Sequence, residues 1–144
     1  MLISLISGQL PAWIDYWIQS ASYAHKRGVS FLILAMDKSR APTIQAPNVF
    51  IKHVTTTTIA KKVADAMNAN GYSNGNGQGR EHLYSDLERE SLRVLYGAMF
   101  KDLLDEYTHW GWIDMGVLVG DLSPLVAAAQ KFDVVTYPDP VCHF

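Results

Sequence analysis

Residues 29–36 narrow the possible folds more than any other part of the chain: Val29, Phe31, Leu32, Ile33, Leu34, Ala35 and Met36 run together with a single serine among them. A strand with one face in water alternates apolar and polar residues, because successive side chains point to opposite faces. This run does not alternate, so both of its faces must be covered, as in a parallel sheet enclosed by helices. It ends at Asp37. Residues 38–48 follow, where Pro42 and Pro47 predict a loop.

The neighbouring segments fit that frame. Residues 2–7 are a short apolar run that stops at Gly8-Gln9-Leu10-Pro11, a strand followed by turn chemistry. Over residues 12–26, Trp13, Ile14, Trp17, Ile18, Ala21 and Ala24 recur at spacings of three and four, which predicts a helix with one broad apolar stripe. Lys26, Arg27 and Gly28 close it with last-turn cations and a glycine stop. Residues 49–54 resume a strand, and the threonines at 55–58 offer N-caps for a helix to about residue 68. Gly71, Asn74, Gly75, Asn76, Gly77 and Gly79 predict a flexible surface loop at 70–79, and their spacing is not that of a dinucleotide-binding glycine fingerprint.

From residue 86 to about 107, Leu87, Leu92, Leu95, Tyr96, Met99, Phe100, Leu103 and Leu104 keep a helical period and predict the longest helix. The charges between them, Glu88, Arg89, Glu90 and Arg93, read as its solvated face. A short helix at 122–131 and a strand at 132–137, stopped by Pro138 and Pro140, complete the pattern. Strands alternating with helices give the expected class: α/β, Rossmann-like, with a mainly parallel sheet between helices.

A chain of 144 residues, 49% of them hydrophobic, fits a single domain spanning 1–144. With 12 lysines and arginines, scattered, and a formal net charge of -2, it has no basic face for nucleic acid, which is not an expected partner. The one cysteine, Cys142, excludes an internal disulfide framework and a cysteine-rich zinc site. The apolar N-terminus has no basic n-region and is interrupted from Gly8 on, so no transmembrane segment is expected in this chain.

The chemistry concentrates in residues 109–122, HWGWIDMGVLVGDL, where an aromatic-apolar strand carries Asp114 and then turns at glycine. Aspartate is depleted in strands, and a desolvated carboxylate is costly unless a cation or hydrogen-bond donors receive it. Asp114 is therefore the first candidate for ligand contact, the alternative being a carboxylate that accepts backbone N–H bonds near the turn. In open α/β sheets, ligands bind beyond the carboxyl ends of the strands. Ser7 and Gly8 follow the first strand, Asp37 ends the second, and Gly120 and Asp121 stand at the exit of the late one. Each has a structural alternative: a turn glycine at Gly8, an Asx turn at Asp37, and an N-cap of the next helix at Asp121. Trp110 and Trp112 alternate across Gly111, which places them on one face and predicts core packing. His25, His53, His82 and His109 lack the paired spacing of a metal site and are expected at the surface or an edge.

The 109–122 stretch resembles the W-G-x-x-D-x-D-x-x-x-G-D-L signature of nucleotide-diphospho-sugar glycosyltransferases of the GT-A fold. Ser7-Gly8-Gln9-Leu10-Pro11 looks like that family's first strand exit, residues 31–37 its second strand, and Leu95-Tyr96-Gly97-Ala98-Met99-Phe100 its helix before the aspartate motif. The resemblance implies the donor-binding, N-terminal part of such an enzyme, with a nucleotide-diphosphate sugar as ligand and an acceptor of unknown identity. It implies that Ser7, Gly8, Asp37 and Asp114 surround the nucleotide sugar, and that Asp114 and Asp121 contribute to an Mn2+ or Mg2+ site. The chain departs from the pattern at Gly116, where the second aspartate belongs; Glu88 and Ser91 likewise do not reproduce a lysine and an aspartate of complete relatives. These departures define the alternative expectation, a truncated or degenerate relative that acts as a binding module. A flavodoxin-like mononucleotide-binding domain is a third reading, and it leaves the tryptophan-aspartate-glycine stretch unexplained. The chain as it stands implies a cytoplasmic protein, or a secretory-pathway one if an N-terminal anchor precedes Met1. His143 stands outside these expected ligands.

Overall fold

The computed structural model describes residues 1–69 and 92–133. The loop expected at 70–79, the start of the helix expected from 86, His82, Glu88, Ser91, Cys142, His143 and most of the strand expected at 132–137 lie outside the described residues.

Four strands form one sheet: β1 (Leu2–Ile6), β2 (Phe31–Ala35), β3 (Val49–His53) and β4 (Gly111–Trp112). Their order is β3-β2-β1-β4 and every pairing is parallel. β2 is buried at all five positions, as its unbroken apolar sequence requires. Its side chains divide by parity. Phe31, Ile33 and Ala35 pack with Ile14, Trp17, Ile18 and Ala21 of α1 (Ile14–Ser22), while Leu32 and Leu34 pack with Ile59, Val63 and Ala66 of α2 (Thr56–Ala69). The fold is thus an α/β sandwich, with a parallel sheet between helical layers and a separate core on each face. Trp17 meets Phe31 edge to face with ring centroids 5.3 Å apart, a contact that anchors α1 on the sheet.

Local chemistry sets the element ends. α1 runs into a 3-10 turn, Tyr23–Arg27, and Gly28 stops it in the left-handed conformation at φ 72°, which a side chain would strain. Asn48 is buried and donates from its amide nitrogen to the carbonyls of Ala21 and Val29, which joins the end of α1 to the starts of β2 and β3. Thr55 caps α2 by accepting the Thr58 N–H at 3.1 Å.

The helix expected to be the longest is broken. The described part is a 3-10 turn (Leu92–Leu95), α3 (Tyr96–Met99) and α4 (Lys101–Leu104), with Phe100 between them at φ -121° and ψ 25°. α2, with 14 residues, is longer than any of these. Tertiary contacts override the helical period here. Tyr96, Met99, Phe100 and Leu104 all enter the core beneath α2, and the Lys62 ammonium takes the Met99 carbonyl at 2.7 Å. β4 is likewise shorter than the sequence implies. Only Gly111 and Trp112 pair with β1, extended by the Ile113 N–H bond to the Ile3 carbonyl at 3.1 Å. Trp110 and Trp112 are 41% and 47% exposed rather than core residues, because β4 is an edge strand among the described residues. Trp110 instead lies across Gly97 of α3. α5 (Ser123–Ala129) follows, and Phe132, expected to open a strand, is exposed and outside any element. Among the described residues, no helix is long and apolar enough to cross a membrane.

Candidate functional site

The strand order fixes where a crevice can form. From β1 the chain passes through α1 to β2 and β3 on one side, and through α2 to β4 on the other, so the direction of winding reverses between β1 and β4. Beyond the carboxyl ends of two such strands the connections part toward opposite faces and leave room for a ligand. Ser7 and Gly8 lie at this end of β1, both exposed. Gly8 does not have positive φ, and a Cβ built on it meets nothing within 4 Å. It is therefore not a turn glycine required by its backbone; it borders open space.

Asp114 comes two residues after β4. It is exposed rather than buried in a strand, so the desolvation argument made from the sequence does not apply to it. Ile113 and Met115, on either side of it, pack into the core beneath α1. Asp114 meets the opposite layer, where the Arg93 guanidinium donates to its Oδ1 at 2.6 Å. Arg93, expected on a solvated face, is thus the cation that meets the candidate Asp114. Tyr96, buried one helical turn on, lies close enough to feel both charges, and burial pushes its hydroxyl up to about 12.

Asp37 stands at the carboxyl end of β2 and accepts the Ser39 N–H at 2.6 Å, an Asx turn. That bond, with a smaller contribution from the nearby His53, holds its carboxyl below the ordinary aspartate value. The loop beyond it is fastened to α1 from both sides. Asp15 accepts the N–H groups of Thr43 and Ile44 at 2.7 and 2.9 Å, and Arg40 donates to the Ala12 carbonyl at 3.0 Å. Asp121 accepts from the Ser123 N–H at 2.9 Å and its hydroxyl at 2.5 Å, bonding the first residue of α5, while the N-cap position itself is held by Leu122 without a side-chain bond. The chain between Asp114 and Asp121 is held to α1 by the Ser20 hydroxyl, which accepts the Val119 N–H at 3.1 Å.

The structure therefore brings Ser7, Gly8 and Asp114 to adjacent strand ends, with Asp37 one strand further along, and turns Asp121 toward its own helix. A divalent cation needs several oxygen ligands, of which a protein supplies at least one or two carboxylates. Here Asp114 already receives a guanidinium, Gly116 supplies no side chain, and among the described residues no three His, Cys, Asp or Glu side chains converge. The described donors do not fit a preformed Mn2+ or Mg2+ site.

A family model described as a family of unknown function, DUF6625, matches residues 90–136, a stretch that includes Arg93, Asp114 and Asp121. No curated protein matches the chain, and no solved structure does.

Proposed function

We propose that the chain binds the nucleotide-diphosphate part of a sugar nucleotide in the crevice between the ends of β1 and β4, and is glycosyltransferase-like. The observation that carries this reading is the place of Asp114. The aspartate of the tryptophan-glycine-aspartate stretch stands at the reversal of winding in a parallel sheet, the position where such folds receive nucleotides. Ser7 and Gly8, open to solvent beside it, leave room for a ligand backbone, and the tethered loop after Asp37 forms the nucleoside side. Transfer of the sugar to an acceptor is the reaction this reading assigns.

A second reading has its own support: a relative that binds without turnover. Gly116 leaves the motif one carboxylate short, and Arg93 occupies the other. Calorimetric titration with UDP and GDP, with and without Mn2+, tests the site itself; heats of binding for either nucleotide are expected, and their absence under every condition rejects the proposal. Release of UDP or GDP from the corresponding sugar nucleotides then separates the two readings, since a module without turnover binds them and leaves them intact.

A further inference from the structure

Arg93 and Asp114 form an ion pair beyond the carboxyl end of β4, with side chains 25% and 64% exposed, so ligand can reach both. An exposed pair of this kind contributes little to stability, because water solvates both ions well when they part. Its placement is the informative part. In open α/β sheets ligands bind at this end of the strands, and a guanidinium fork matches phosphate oxygens in geometry as well as charge.

We propose that Arg93 is the diphosphate-binding residue of this site, supplying by itself the positive charge that a divalent cation would otherwise bring, and that Asp114 positions the guanidinium. This rests on the crevice being a nucleotide-diphosphate site, and it makes a prediction of opposite sign to metal binding. As a metal ligand, Asp114 would strengthen diphosphate binding. As the partner of Arg93, it places a like charge beside the diphosphate and weakens binding. Asp114→Asn keeps an oxygen that can accept the Arg93 bond and removes the charge.

The test is calorimetry of the chain at fixed ionic strength with inorganic pyrophosphate, UDP and GDP, in EDTA and in Mn2+, for the native protein, Arg93→Gln, Arg93→Lys and Asp114→Asn. Native protein is expected to bind pyrophosphate in EDTA, with Mn2+ changing affinity less than about twofold. Arg93→Gln should lose at least about tenfold, since a charge-assisted hydrogen bond is removed. Arg93→Lys should fall between. Asp114→Asn should bind about fivefold tighter, the size of one like-charge repulsion at about 4 Å in near-aqueous surroundings. Matching thermal midpoints establish that the variants fold, and the tightening in Asp114→Asn is a gain that misfolding does not produce. Binding that requires Mn2+ and ignores Arg93→Gln overturns this inference and leaves the nucleotide site standing. Pyrophosphate binding lost in Arg93→Gln, with no preference for UDP or GDP over pyrophosphate, upholds Arg93 and removes the nucleotide. Absence of binding by all three probes overturns both.

Discussion

Gly97→Ala is a one-methyl change whose cost depends on a side chain thirteen positions away. A Cβ built on Gly97 comes within 2.4, 2.5 and 2.8 Å of three indole atoms of Trp110, well inside the 3.4 Å at which ordinary contact begins. The indole must leave. Trp110 is 41% exposed, so more than half of its surface is covered, on the order of 100 Å² for a side chain of this size. At about 25 cal/mol per Å², exposing it costs about 2.5 kcal/mol. Alanine returns up to about 1 kcal/mol of helix propensity, and the net is a destabilisation of about 1.5–2 kcal/mol, or a fall in Tm of about 3–8 °C. Urea unfolding of Gly97→Ala, Trp110→Ala and the double variant isolates the contact. In the Trp110→Ala background, Gly97→Ala should be neutral or slightly stabilising, which gives a coupling of about 2 kcal/mol. An equal effect of Gly97→Ala in both backgrounds would refute the reasoning and place the cost in the backbone.

Other substitutions probe the site and its supports. A Cβ at Gly116 meets nothing within 4 Å and the residue does not have positive φ, so Gly116→Asp should leave stability within about 0.5 kcal/mol while adding the missing carboxylate; Mn2+-dependent nucleotide binding should appear in it, and unchanged metal response would show that the position faces away from the ligand. Lys62→Met keeps the packing over Phe100 but removes the ammonium bond to the Met99 carbonyl, and should cost about 1–2 kcal/mol in urea unfolding, an unchanged midpoint arguing that water replaces it. Asp15 is held below its ordinary value, first by the Ile44 N–H. The unfolded chain then binds the proton more readily, so the stabilisation is present above the unfolded pKa and is lost as pH falls through the lower folded value. The gap in Tm between native protein and Asp15→Asn should therefore close on acidification from pH 6 toward 3, and a gap that widens would contradict the assignment.

The sheet and its two helical layers were legible because their signals are local and redundant. β2 has no polar face to misread, and the glycine stop at Gly28 and the cap at Thr55 lie where their chemistry predicts. The region of residues 92–112 was not legible, because its apolar period is genuine but is satisfied by a kinked path. Phe100 abandons helical geometry so that it and its neighbours fill the space under α2, a demand set by residues forty positions earlier. At the site, the ends of the strands pointed to Ser7, Gly8 and Asp37, whereas Asp114 was singled out as a buried strand acid and lies instead exposed, just past the short β4. Arg93 escaped, because a cation among other charges on an amphipathic segment looks solvated until the partner strand is placed beside it.

The two walls of the crevice are built to different strengths. β1, β2 and β3 are joined by five-residue ladders, whereas β4 is joined by two residues and the flanking bonds of Gly111 and Ile113. Among the described residues β4 is an edge, so in hydrogen-exchange terms the Gly111 and Ile113 amides are expected to open by local fraying, while those of β2 wait for the whole domain. The wall bearing Asp114 is thus expected to open ahead of the other. A ligand that touches both would register first as slowed exchange on the weaker side, so the sheet itself reports occupancy of its cleft.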